Sequence, residues 1–172
     1  MNIALENLKN RRSIRRYLPR QITREELDQV LEAGICAPTG MNRQSPVLVA
    51  VQDKETRDLL SRMNAAVNGA AGDPFYGAPT VVVVLADANS RHAVQDGSLV
   101  LGNLMNAAHA IGLGSCWINR AKEVFDTDEG KALLKKWGLE GEYIGVGNCI
   151  LGYPDEAPAM KPRKENYITY VL

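Results

Sequence analysis

The sequence predicts an α+β domain, and three observations carry that prediction. A capped amphipathic helix begins at Thr23, several short apolar runs read as strands, and helices and strands do not alternate strictly as βαβ units. A layered α+β arrangement therefore fits better than a doubly wound sheet.

Taken in order, Leu5 and Leu8 mark a short N-terminal helix that gives way to a loop at Arg11. Thr23-Arg-Glu-Glu26 forms a capping box, and Leu27, Val30, Leu31, Gly34 and Ile35 keep helical spacing until Pro38 ends the helix. Val47 to Val51 reads as a strand. A second long helix follows Asp53, with Thr56, Leu59, Leu60, Met63 and Val67 on one face. Thr80 to Ala86 is a second strand; a central helix then covers about Ser90 to Ile111 and runs into a short strand at Ser115 to Ile118. A short helix near Asp128 to Trp137 and a strand from Tyr143 to Leu151 follow. The proline-rich stretch Tyr153 to Pro162 is expected to run extended, and Tyr167 to Leu172 again has strand character, so this arm can reach a second subunit. Asn64 to Tyr76, rich in Ala and Gly, is expected to be a mobile flap.

With 172 residues, 45% of them hydrophobic, the chain suits a single domain spanning residues 1–172, with no repeat or linker to divide it. Lys plus Arg equals Asp plus Glu at 20 each, so no global field draws the protein onto nucleic acid or an anionic membrane. Any anion site must be local. Cys36, Cys116 and Cys149 are odd in number and contain no CxxC pair, which argues against a disulfide framework or zinc site and for a reducing cytoplasm. The N-terminus has no apolar run of the signal-peptide kind. Gly97 to Ile118 lacks charged side chains, yet Asn103, Asn106, His109 and several glycines argue for a buried helix and strand over a membrane span.

Four segments could carry chemistry. Six arginines lie between positions 11 and 24, and Arg11-Arg12-Ser13-Ile14-Arg15 places a hydroxyl among guanidinium forks, a donor set suited to a phosphate monoester; a solvated basic edge is the alternative. The turn Pro38-Thr39-Gly40-Met41-Asn42-Arg43-Gln44 carries two amides able to pair with the carbonyl and imide edges of a heterocycle, although Pro and Gly are also simply expected after a helix. Gly112-Leu113-Gly114-Ser115 lacks the third glycine and the following helix of a dinucleotide fingerprint; it reads as a helix cap and turn, or as bare backbone that a flat ring can approach. Lys161-Pro162-Arg163 is a basic tail by itself, but could share a dianionic phosphate with the first cluster. HExxH, GxSxG and a P-loop are absent, His92 and His109 do not pair as metal ligands, and no side chain stands out as a nucleophile. The reactive group is therefore expected to come from a cofactor.

In this order and spacing the segments resemble the nitroreductase family of FMN-dependent NAD(P)H oxidoreductases: Arg-Arg-Ser-x-Arg at the start, Ala37-Pro-Thr-Gly-x-Asn-Arg-Gln44 after the first long helix, Gly112-Leu-Gly-Ser-Cys-Trp-Ile118 after the central helix, Gly152-Tyr-Pro, then Lys161-Pro-Arg163. The resemblance implies a three-layer α/β/α sandwich with a mostly antiparallel central sheet and helices on both faces. It also implies a homodimer with two FMN sites at the interface, and an arm, residues 152–172, exchanged between subunits. Arg11, Arg12, Ser13 and Arg15 would take the phosphate and the nearby ribityl or pyrimidine edge, with Lys161 and Arg163 closing on the phosphate. Pro38, Thr39, Gly40 and Asn42 would come from the opposite subunit, Gln44 would also bind the cofactor, and Gly112, Leu113, Gly114 and Ser115 would lie against the flavin ring. No protein group would be catalytic itself. NADH or NADPH would donate hydride, and nitroaromatics, quinones or similar small acceptors would take it in a ping-pong cycle, with a cation such as Arg15 balancing charge on the ring. The competing readings are a specialised enzyme of the same fold, a non-catalytic flavin-binding or regulatory protein, and nucleic-acid binding through the arginines, which the neutral charge disfavours.

Overall fold

The computed structural model describes residues 2–69 and 71–172. Among these the helices are α1 (Ile3–Asn10), α2 (Arg24–Ile35), α3 (Lys54–Asn68), α4 (Ala93–Ala110), α5 (Ala121–Asp126) and α6 (Asp128–Lys136). The strands are β1 (Pro46–Val51), β2 (Thr80–Asp87), β3 (Gly114–Ile118) and β4 (Tyr143–Gly152), in the sheet order β1-β2-β4-β3 with every neighbour antiparallel.

Local sequence sets most of these boundaries. The Thr23 hydroxyl accepts from the Glu26 amide while the Glu26 carboxylate accepts from the Thr23 N–H, so the capping box forms. Asp53 caps α3 through the Thr56 N–H, and Thr127 caps α6 through the Gly130 N–H. Strand β2, Thr-Val-Val-Val-Val-Leu-Ala-Asp, is buried along all but its last residue because both faces of the sheet are covered, which explains a continuous apolar run where a half-exposed strand would alternate.

The two covered faces are separate cores. Val81, Val83, Leu85, Cys116 and Ile150 pack with Leu60 and Met63 of α3, Val124 and Phe125 of α5 and Leu133 and Leu134 of α6. On the other face Val82, Val84, Cys149 and Leu151 pack with Leu27 and Val30 of α2 and Val100, Leu101 and Leu104 of α4. The α/β/α layering that the resemblance implied is present.

Three expectations change. Helix α5 has no sequence signature: it is six residues long, and Arg120 precedes it at φ 76° with no side-chain cap. Residues 157–172 are exposed and form neither helix nor strand in this chain; Tyr167 to Leu172 finds no edge to pair with, and strand propensity acts only on a surface that receives it. The expected flap is largely fastened. Asn64 to Asn68 belong to α3, and Phe75 is buried below a turn built on Asp73; Ala70 lies outside the described residues.

Candidate functional site

Helix α1 ends at Arg11, whose N–H returns to the Asn7 carbonyl, and the chain then runs extended beside β3. Ser13 and Ser115 form a parallel bridge, and the Ile14 N–H donates to the Ser115 carbonyl at 2.9 Å. On its other side the segment meets the start of the C-terminal arm: Tyr17 bridges Pro154, Leu18 N–H donates to Tyr153, Asp155 N–H donates to Arg16, and the Glu156 carboxylate accepts the Arg15 N–H. The basic cluster is thus held between the glycine turn and the arm. Side chain Ile14 occupies the space that a Cβ on Gly114 would approach at 3.1 Å, so the backbone contact depends on that glycine.

A cavity of about 330 Å³ opens here, lined by Arg12, His109, Gly112, Leu113, Gly114 and Glu156 among others. Arg12 turns back to cap the Lys9 and Arg11 carbonyls at 2.7 Å each. Arg11 Nη1 is buried without a hydrogen-bond partner, a position that is costly for a guanidinium unless an anion completes it. His109, at the end of α4, is held below its ordinary protonation range by burial and by the charges of Arg11 and Arg12, so it adds no cation near neutral pH. Leu113 belongs to the core, and Ser115 is 1% exposed with its hydroxyl turned toward the Met105 carbonyl; these two residues offer the site backbone only.

The amide-bearing turn lies elsewhere. Gly40 N–H donates to Asp96 Oδ1 at 3.0 Å, Ser45 Oγ reaches Asp96 Oδ2, and a Cβ on Gly40 would meet the His92 ring at 2.4 Å. The Thr39 hydroxyl accepts the Gln44 N–H, and the Gln44 amide donates to Asn42. Met41, Asn42 and Gln44 all adopt left-handed backbone, with φ 53°, 53° and 50°. Left-handed backbone at non-glycine residues persists where the surroundings hold it, here the Gly40, Thr39 and Asn42 hydrogen bonds. Asp96 sits in the first turn of α4 and Ala108 near its last, so the two halves of the candidate site lie at opposite ends of that helix, roughly 18 Å apart along its axis. Within one chain the structure joins Arg12 and Ser13, which follow Arg11, to the turn at Gly112, Gly114 and Ser115, and leaves Pro38 to Gln44 apart. Lys161 and Arg163 are exposed and, among the described residues, make no ion pair.

Sequence reading passed over Asp96, Glu156 and Asn64. Asp96 was visible as the last charge before the uncharged stretch beginning at Gly97. Asn64 is buried in α3 and donates to the Asn119 carbonyl at 2.8 Å, fixing the turn between β3 and α5; an isolated amide on an apolar helix face was its signal. Cys149 supplies no nucleophile here: its thiol is pushed up to about 12 by burial and then by Cys116. No cluster of three or more potential metal ligands occurs among the described residues, and no helix among them is long and apolar enough to cross a membrane.

The profile of the nitroreductase family matches residues 8–157. The chain belongs to the nitroreductase family. Its fold is similar to that of a nitroreductase with bound FMN from Bacteroides fragilis, with a TM-score of 0.90, 30% identity and 100% of both chains covered. It is 32% identical to the NADPH-flavin oxidoreductase of Vibrio harveyi, across 95% of this chain and 70% of that protein. It is 27% identical to an FMN reductase [NAD(P)H] of Bacillus subtilis, again across 95% and 70%. The family match covers the phosphate-type cluster, the amide turn and the glycine turn; Lys161 and Arg163 lie beyond its last matched residue.

Proposed function

We propose that this nitroreductase-family chain is an FMN-dependent oxidoreductase that works as a homodimer, drawing on NADH or NADPH and reducing nitroaromatic, quinone or similar small acceptors in a ping-pong cycle. The observation that carries the reading is Arg11 Nη1, buried without a hydrogen-bond partner and next in the chain to Arg12, which lines the cavity at Gly112 to Gly114. A guanidinium, the Ser13 hydroxyl and a backbone turn are the donors a phosphate monoester requires, so the residues present fit this part of FMN. The names and bound cofactor of the relatives point the same way.

Bound FMN supplies the two-electron chemistry that the side chains lack. The chain's residues bind and orient. Arg11 and Ser13 would hold the phosphate, with Arg12 braced on the Lys9 and Arg11 carbonyls; Gly112 and Gly114 would keep the approach free of side chains; Arg15, exposed and fixed through its backbone to Glu156, would supply a cation to balance negative charge on the reduced ring. Asn42, Gln44, Thr39, Gly40 and Pro38 offer amide and backbone groups from the second subunit, and Lys161 and Arg163 close on the phosphate from the exchanged arm.

Dimerisation is supported by what one chain leaves uncovered. Ile3, Leu5 and Leu8 of α1, Val94 and Leu99 of α4, and Tyr167 to Leu172 are all exposed. The separation of the two half-sites along α4 supports the same assembly, because a two-fold axis can set one chain's amide turn beside its partner's glycine turn.

Visible spectra of the purified protein, before and after anaerobic NADH or NADPH, test the reading. A yellow protein bleached by either nucleotide and recoloured by a quinone is the expected result. A colourless protein that ignores added FMN would overturn it, and a yellow one that neither nucleotide bleaches would replace it with a flavin-binding role.

A further inference from the structure

Tyr76 stands out because the turn that carries it is rigid and the residue itself is strained. Asp73 accepts from Ser61 Oγ and Arg57 Nη2, both at 2.6 Å, and from the Phe75 and Gly77 amides, both at 2.8 Å. Arg57, itself buried, also donates through Nε to the Ala78 carbonyl at 2.9 Å, and its guanidinium lies over the Phe75 ring. Phe75 is 1% exposed and anchors the turn in the core. Between this anchor and Gly77, Tyr76 is held at φ 53°. Left-handed backbone is unfavourable for a bulky aromatic and persists only where the surroundings over-determine it.

The strain does not serve burial. Tyr76 is 44% exposed, and among the described residues its hydroxyl has no hydrogen-bond partner in the chain. The Arg15 guanidinium lies over its ring, with the guanidinium carbon 6.0 Å from the centroid. A half-exposed ring beside a cation is a surface for a flat, electron-poor molecule, with stacking on the ring and an oxygen toward the guanidinium.

We propose that Tyr76 determines acceptor specificity, its ring forming the wall on which flat aromatic and quinone acceptors stack beside Arg15. The proposal rests on the flavin reading, which places Arg15 at the cofactor, and adds the residue that selects what is reduced. The Asp73 clamp is the device that presents it.

The test uses FMN-loaded enzyme carrying Tyr76→Gly or Tyr76→Phe, with menadione and ferricyanide as acceptors at saturating NAD(P)H. Tyr76→Gly is expected to raise KM for menadione roughly threefold to tenfold, the range of an aromatic pair, while KM for the non-aromatic ferricyanide stays unchanged. Tyr76→Phe keeps wild-type values, since the ring does the stacking. Calorimetric Kd for 2-naphthoate, a flat acid with nothing to reduce, rises in the same proportion for Tyr76→Gly. Its Tm does not fall, because glycine adopts the positive φ without strain. Unchanged menadione KM and naphthoate Kd would overturn the proposal, as would an equal loss for both acceptors. FMN content and bleaching by NAD(P)H are recorded separately; a wild-type protein that holds no FMN refutes the flavin reading first and the proposal with it.

Discussion

Asp96 accepts the Gly40 amide at 3.0 Å and so fastens the amide-bearing turn to the first turn of α4. Asp96 is 3% exposed, and its second oxygen takes the Ser45 hydroxyl at 3.4 Å. One buried carboxylate therefore shapes a turn whose neighbours Met41, Asn42 and Gln44 are left-handed.

Replacing Asp96 with Ala leaves the Gly40 amide without its partner. The expected loss is about 1–3 kcal/mol of folding stability, read as a lower urea midpoint at unchanged m-value. An unchanged midpoint would mean that the turn holds its shape without Asp96.

The Asp73 clamp gives stability a defined pH dependence. Burial works against the charged carboxylate, but hydrogen bonds from Ser61 and Arg57 and from the Gly77 and Phe75 amides outweigh it, holding the group below its ordinary value of 3.8. A depressed value means the stabilisation is present above pH 3.8 and is lost as pH falls through the folded-state value. Asp73→Asn should weaken the fold at pH 7 by about 1.5–3 kcal/mol and flatten the acid limb of a urea-midpoint profile. A variant with the wild-type acid limb would place that sensitivity elsewhere.

His109 gives a second pH dependence in the weakly acidic range. Burial first, then Arg11 and Arg12, hold the imidazole below 6.5, so the unfolded chain binds the proton more readily. Stability from this source is present above pH 6.5 and declines as pH falls through the folded value. Thermal melts between pH 8 and pH 5 should show this decline in the cofactor-free protein and less of it in His109→Gln. Bound FMN should reduce it too, since the phosphate offsets the arginine charges. A His109→Gln profile parallel to wild type would exclude His109 as the source.

Deleting residues 161–172 removes Lys161, Arg163 and the exposed apolar end of the arm together. FMN affinity should fall about tenfold to a hundredfold, the usual effect of losing a charged hydrogen bond, and sedimentation should shift from dimer toward monomer. Far-UV circular dichroism should hardly change, because these residues contribute no helix or strand within their own chain. Full FMN affinity in the truncated protein would remove the arm from the site.

Much of the fold was legible because it is written in local signals. Thr23 and Glu26 announce a helix start, Asp53 another, and the unbroken run at Val81 to Ala86 announces a strand covered on both faces. Helix α5 was not legible, since Arg120 enters it without a capping side chain. Ile35 kept helical spacing with the core yet is exposed, while Gly34 beside it is buried against Leu104 and Leu48. The candidate site is written in the sequence as residue types and not as distances. That Arg12 would stand beside Gly112 depends on the Ser13 and Ser115 bridge, a pairing across about a hundred residues that no local pattern encodes. The Tyr76 strain is a backbone angle fixed by Asp73 and Phe75 together, and the sequence there shows only a turn before Pro79.

The phosphate grip of the Arg11 cluster is the centre of the account, and FMN compared with riboflavin tests it most directly. Fluorescence titration of the cofactor-free protein should give FMN a Kd about a hundredfold or more below that of riboflavin, and Arg11→Ala should cut that preference by about tenfold to a hundredfold while leaving riboflavin affinity unchanged. Equal affinity for the two flavins in the wild-type protein would contradict it.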